Sequence, residues 1–525
     1  MDCERHPLAL TTHRRYVTRT FSAFSAAFLV LLGLFLVRQP TLPAPWFDEG
    51  LNVSTAATFA RTGLYALSDA TGPRVLDPAI QTGPTVIVPL AVVFRLFGTG
   101  LLQARLVVIA FALLAVGCYW CLAQRLIGTR RAFLALLFLL VGTSEPMASL
   151  LPMSRQVLGE VPALAYLLLG VLIWLGAVER RDQRYWPLIL SGLAWGIALV
   201  TKSQVLITFP VALGGMACLD RLYYRQATWR AFLVPGTVAI GCVLTWYAAQ
   251  IAMVGPERFQ QNAIILREGL RLHVLGIDFA HWRNAVGAIW RTGFWIWGGP
   301  ALVWGVWQAR HRNFTGLQHA VLLSITLTML VWFTLLSIGW GRYLFFPAVL
   351  TPIWLAGCLG WLAKQPRMRW LPVSSAKLTA TLALLFSCIN AQYQIYGLLF
   401  APDSGYQAMR SYLATQVPPH ARIESWEWEL SFDAPQPFHH PTTNITNAYT
   451  VFIMSRRVPP RLYDPLQANP DYILVGGFNM LTGTYTATVQ QFAEQVASFG
   501  TYQLYKVHTT AVSDKSDLSV QGDPP

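Results

Sequence analysis

The sequence predicts an all-α polytopic membrane bundle of about eleven spanning helices, carrying a small C-terminal extracytoplasmic α/β domain. Three observations lead there. Of 525 residues, 54% are hydrophobic and only 12% charged, with a mean hydropathy of +0.43; a soluble chain carries about 25% charge. Apolar runs of spanning length recur between short basic loops. After residue 397 the balance reverses, with seven Lys/Arg against eleven Asp/Glu.

The net charge of +14 therefore does not point to nucleic acid. Its positive excess lies in the loops "RLIGTRR", "ERRDQR", "DRLYYRQATWR", "ARHR" and "KQPRMR", the pattern of cytoplasmic loops under the positive-inside rule. A basic tail, 1–20, precedes the first apolar run, 21–37. That run is long for a signal-peptide core and no A-x-A site follows it, so it reads as an uncleaved span entering from the cytoplasm.

Further spans are expected near 102–124, 132–150, 161–178, 186–201, 204–219, 231–253, 286–307, 318–338, 343–362 and 375–396. With eleven crossings all five basic loops share the side of the N-terminus. The run 83–98, "GPTVIVPLAVVFRLFG", would invert that parity if it crossed, so it reads as an interfacial or re-entrant helix of the first outer loop, 38–101. The membrane domain runs over 21–398, in a plasma or inner membrane. Residues 399–508 form the outer domain, with a helix at "SGYQAMRSYLATQV", strands at "ARIESWEWEL" and "PDYILVGGF", a helix at "TATVQQFAEQVASF" and a last strand at "TYQLYKV". Residues 509–525 lack apolar content and are expected to be disordered.

This topology gathers the unusual polar residues on the outer face. Asp48 and Glu49 stand at the membrane edge in "APWFDEGLNVST". Neighbouring carboxylates there would titrate as a pair, and one would serve as a general base; the simpler reading of the pair alone is a helix cap. Arg155 and Glu160 lie in "SRQVLGE", where helix-end anchoring competes with a site role. Lys202 is enclosed by apolar residues in "ALVTKSQVL" and needs an anionic partner on that side. Arg342, beside Tyr343 in "GWGRY", offers paired donors to a phosphate between glycines that allow close approach. Arg258, Arg267 and Arg271 lie on an amphipathic segment that would either line a substrate path or rest on anionic headgroups.

Seven cysteines imply no disulfide framework, and Cys118-x-x-Cys121 lies within a span, where packing is its natural role. The adjacent His439 and His440 lack metal-ligand spacing. No nucleotide loop or Ser-His-Asp order appears, and no cofactor is called for, although acids from two loops are compatible with a divalent metal.

The succession "WFDEGLN", "GPTVIVPLAVVFRLFG", "RLVVIAFALLAVG", "SRQVLGEVPAL", "GLAWGIALVTK" and "GRYLFFPAVLTPIWLAG" resembles the polytopic lipid-linked-sugar glycosyltransferases that include protein O-mannosyltransferases and aminoarabinose transferases. The resemblance spans roughly residues 20–365 and implies the C-type glycosyltransferase fold. It implies an inverting transfer from a polyprenyl-phosphate sugar to a hydroxyl on a protein, glycan or lipid. The matching positions make Asp48 the base with Glu49 beside it, Glu160 the second-loop acid, and Lys202, Arg342 and Arg155 the phosphate ligands. Tyr343, Arg267 and Arg271 would border the substrate path. One departure stands out: where many members carry His-Pro-Pro or Glu-Lys-Pro, this chain has "IQTGPT" and no cation. The competing class is a multi-span lipid or solute transporter, which intramembrane charge also fits, although no inverted repeat is evident.

Overall fold

The computed structural model describes residues 29–30, 32–39, 41–180, 184–365, 374–455 and 463–508. The basic tail 1–20, most of the first expected span and the tail 509–525 lie outside the described residues.

Six helices are long and apolar enough to cross a bilayer: Leu101–Ile127, Glu160–Glu179, Ser203–Tyr224, Trp229–Val254, Phe314–Leu335 and Lys377–Leu399. A seventh candidate is the pair Gly341–Leu350 and Pro352–Leu362, bent by 45° at a proline that supplies no N–H to the preceding turn. The other four of the eleven expected spans do not pass that test among the described residues. Only the end of 21–37 is described, and Trp186–Thr201 has 16 residues. The run 132–150 is the helix Thr129–Val141, stopped by Gly142 and followed by the short helices Pro146–Ala148 and Leu150–Met153. Glycine and proline in "GTSEP" carried that break in plain view. The run 286–307 is cut at Gly293, whose φ of 63° ends Phe279–Arg291 before Phe294–Ala309 begins.

The run 83–98 forms the helix Pro84–Phe97. Its 14 residues reach about 21 Å at 1.5 Å each, short of the roughly 30 Å hydrocarbon core. Helices at the rim leave leucines and isoleucines outward, such as Leu233, Ile240 and Leu244 on Trp229–Val254, the surface that lipid would cover.

The C-terminal domain is built on a five-stranded mixed sheet in the order Phe438–His439, Ile423–Ser425, Tyr472–Val475, Tyr502–Val507, Ala493–Phe499. The first three run parallel and the last two pair antiparallel. Two expectations change here. The strand in "ARIESWEWEL" ends at Ser425 and gives way to the helical turn Trp428–Ser431. The helix expected through "TATVQQFAEQVASF" stops at Phe492, and Ala493–Phe499 is a strand. A tight Gly500–Thr501 turn lets that segment hairpin onto Tyr502–Val507, a pairing that outweighs local helical spacing.

One apolar cluster ties this domain to the start of the first loop. Phe47, Leu51 and Leu67 share a core with Trp426, Trp428, Ile473, Val475 and Tyr485, and the ring of Phe47 stacks on Phe478 at 4.3 Å. Gly50 makes that docking close: a Cβ there would stand 2.2 Å from the Glu429 amide nitrogen. The helix bearing the acid pair is thereby clamped between the membrane bundle and the C-terminal sheet.

Candidate active site

The helix Phe47–Thr62 begins one residue before Asp48, with Trp46 as an N-cap that makes no side-chain cap bond. Neither acid is the cap. Both lie in the first turn, where carboxylates suit the positive end of the helix dipole, and a step of 100° per residue sends neighbours in different directions. Asp48 faces a cavity of about 260 Å³. Glu49 turns into the bundle and is fully buried. It accepts from Arg105 Nε at 2.8 Å and Nη2 at 2.7 Å, and from the Val157 amide at 3.0 Å. The expected carboxylate pair is therefore split, and Glu49 is corrected from a site acid to a buried anchor holding Leu101–Ile127 against the first loop.

Glu160 opens the helix Glu160–Glu179 directly after Gly159. Its Oε1 lies 3.0 Å from Lys202 Nζ and 4.0 Å from Arg342 Nε. Lys202 occupies the break between Trp186–Thr201 and Ser203–Leu219 with φ −147° and ψ 128°. Extended backbone at that break pairs with Thr82 in an isolated antiparallel bridge, and Gly83 donates to the Thr201 carbonyl at 3.1 Å. Gly83 has no substitute there, because a Cβ would meet the Val200 carbonyl oxygen at 2.0 Å. The departure from the family pattern at "IQTGPT" thus supports the lysine rather than supplying a cation of its own.

Arg342 sits in the short turn Gly341–Leu344. Its Nη1 forms an ion pair with Asp48 Oδ2, and its guanidinium lies over Trp340 at 4.5 Å and Trp46 at 5.7 Å. The Trp46 indole is fixed in turn by donating to Gln156 Oε1 at 2.7 Å. Asp48 is the partner that reaches open space, at 22% side-chain exposure against 4% for Arg342. Asp48, Lys202, Arg342 and Tyr343 all line the cavity, while Glu160 stands just behind as the carboxylate shared by both cations.

Three other expected residues lie elsewhere. The guanidinium of Arg155 donates to the carbonyls of Leu34, Phe35, Val37 and Leu42 at 2.5 to 3.0 Å. It satisfies backbone acceptors left over where the first helix ends and does not line the cavity, so its assignment as a phosphate ligand is corrected. Arg267 and Arg271 are exposed on Pro256–His273. The other face of that helix, through Asn262, Leu266 and Leu270, lines the cavity, so the two arginines do not border the path expected of them.

Several contributors were missed. Arg105 was readable as a charge inside a spanning run. Trp46 and Trp340 stood within quoted motifs but carried no signal of their own. Thr443, Asn447 and Phe478, which bring the C-terminal domain to the cavity wall, had no local signature at all.

Bundle, sheet and clustered charges define a polytopic membrane protein with the C-type glycosyltransferase architecture. Over 93% of its length the chain resembles ArnT from Cupriavidus metallidurans bound to undecaprenyl phosphate, covering 99% of that chain at 15% identity with a TM-score of 0.63. It also resembles an archaeal oligosaccharyltransferase, AglB from Archaeoglobus fulgidus in complex with an inhibitory peptide and a dolichol-phosphate. That likeness covers 94% of this chain and 74% of that one, at 11% identity and a TM-score of 0.55. Residues 82–247 match the dolichyl-phosphate-mannose-protein mannosyltransferase family. No curated protein matches the sequence.

Proposed function

We propose that this protein is an inverting membrane glycosyltransferase that moves a sugar from a polyprenyl-phosphate donor to a hydroxyl acceptor on the extracytoplasmic face of the cell membrane. The observation that carries the reading is the meeting of Asp48, Lys202 and Arg342 around one cavity in a bundle whose rim is apolar. The lipid tail stays among the helices and the phosphosugar enters the cavity. Asp48 accepts the acceptor's hydroxyl proton while that oxygen bonds to the anomeric carbon. The bond from that carbon to the phosphate oxygen breaks, and polyprenyl phosphate leaves with the electron pair.

Lys202 and Arg342 receive the charge developing on the phosphate. Prepositioned donors of this kind each contribute about 10²–10³ in rate, and a positioned base about 10²–10⁴. Tyr343, buried beside Arg342, forms part of the wall. No nucleotide is required, which suits a site outside the cytoplasm.

The test is transfer of labelled sugar from a polyprenyl-phosphate donor by the solubilised protein, comparing wild type with Asp48→Asn. Loss of turnover with donor binding retained is expected. Full turnover in Asp48→Asn removes Asp48 as the base, and passage of donor across vesicles without transfer replaces the enzyme with a transporter.

A further inference from the structure

We infer that the cavity selects a donor whose sugar is neutral and polyhydroxylated, and rejects amino sugars and uronic acids. This rests on the lipid-phosphate-sugar reading above and adds the class of sugar. Among the described residues the cavity lining holds four charged side chains: Asp48, Asp77, Lys202 and Arg342. Both carboxylates are engaged. Asp48 is paired with Arg342. Asp77 lies 3.6 Å from Arg74 Nε, accepts from the Ala79 amide at 2.8 Å and also takes the Thr443 hydroxyl. A sugar ammonium entering here meets no carboxylate free to compensate its lost hydration.

A sugar carboxylate fares no better. Among the described residues the cations lining the cavity are Lys202 and Arg342, both already facing Glu160, and the donor's phosphate needs the same pair. A second anion would compete with the first.

What remains is uncharged. Gln81, Gln250 and Asn447 line the cavity with side-chain amides that are hydrogen-bonded to no other described group. Thr446 and Thr450 donate to carbonyls one turn back, at 3.1 and 2.9 Å, which leaves their oxygens able to accept. An amide offers donors and an acceptor side by side, the complement of neighbouring hydroxyls. Trp246 and Phe478 add apolar faces to the same wall for the C–H side of a sugar ring. Sites built to pair with hydroxyls discriminate strongly, because their own groups go unpaired when the hydroxyl is missing.

The test measures binding rather than turnover. Detergent-solubilised full-length protein is titrated with polyprenyl phosphate, bare or carrying mannose, aminoarabinose or glucuronate. The mannosyl lipid is expected to bind about tenfold or more tighter than the other two sugar lipids. Asn447→Ala and Gln250→Ala are each expected to weaken the mannosyl lipid about tenfold, a change of roughly 1.4 kcal/mol, without altering affinity for the bare lipid. Asn447→Asp is expected to raise affinity for the aminoarabinosyl lipid by supplying the absent carboxylate. Equal or tighter binding of the aminoarabinosyl lipid by wild type overturns the inference, as does an equal loss of bare-lipid affinity in the alanine variants. If bare polyprenyl phosphate itself does not bind, the lipid-phosphate reading falls and takes this one with it.

Discussion

Lys202 and Glu160 meet at 3.0 Å in a pair almost wholly closed to water, their side chains 4% and 0% exposed. The same carboxylate stands 4.0 Å from Arg342, so one acid from the second polar loop positions both cations that line the cavity. The arrangement keeps two positive charges in an apolar wall where neither would be stable alone.

Removing one member therefore strands the other. Lys202→Met is expected to destabilise the protein by about 3–5 kcal/mol, the usual cost of breaking a buried ion pair. The double variant Lys202→Met with Glu160→Gln should regain most of that stability and still fail to bind polyprenyl phosphate. Thermal unfolding in detergent and lipid titration separate the two effects. Full donor affinity in the double variant would remove Lys202 from phosphate recognition.

Arg342→Lys keeps the charge but loses the planar group that lies over Trp340 and Trp46. Lysine presents a point charge in place of the flat fork, so the pair with Asp48 becomes poorly aligned. Turnover is expected to fall by about 10²-fold, in the range set by a single misplaced electrostatic donor, with little change in melting temperature. Steady-state kinetics beside thermal unfolding checks both halves.

Gly50→Ala tests whether the C-terminal domain holds the acid-bearing helix. The added Cβ would collide with the backbone at Glu429, and backbone cannot swing aside as a flexible side chain can. Limited proteolysis should then release the C-terminal domain more readily, with transfer falling in parallel. An unchanged digestion pattern would show that the contact is dispensable.

The C-terminal domain should also weaken in acid through His440. Its Nδ1 lies 2.6 Å from the Ser425 carbonyl and its ring stacks on Trp428 at 3.6 Å. Burial pushes the imidazole down to about 3; Asp69 opposes that shift, while Arg74 and His439 reinforce it. A histidine lowered on folding is neutral in the fold and protonated in the unfolded chain. Its contribution is complete above about 6.5 and is lost as pH falls from there toward 3. His439 has the opposite sign: its bond to Glu424 raises it, so its contribution is full in acid and fades as pH rises. His440→Phe should therefore cost stability at neutral pH and progressively less as pH falls from about 6.5 toward 3, as chemical unfolding across that range would record.

Much of this was readable along the chain. Charge depletion and repeated apolar runs gave the membrane class, and the parity of the basic loops set the run 83–98 apart from the expected spans. Lys202 and Arg342 stood out because charge is costly beside apolar runs. Glu160 and Asp48 stood out only through their order among the other motifs. Two apolar runs that read as continuous, 132–150 and 286–307, are each interrupted by a glycine, at Gly142 and Gly293. Hydropathy averages over such residues, whereas the helix cannot.

By itself the sequence determined what must lie in lipid and which ionised groups needed partners, since both follow from local composition and the cost of dehydrating a charge. Which partner each group found was decided only in three dimensions. Asp48 and Glu49 are neighbours in the chain, yet one faces the cavity with Arg342 and the other is buried against Arg105. A helical step of 100° separates them, and no property of either residue foretells which direction holds the cavity. The same holds for Arg155, whose guanidinium goes to backbone carbonyls over a hundred residues away. Unpaired acceptors at a helix end are visible only once the helix has been placed.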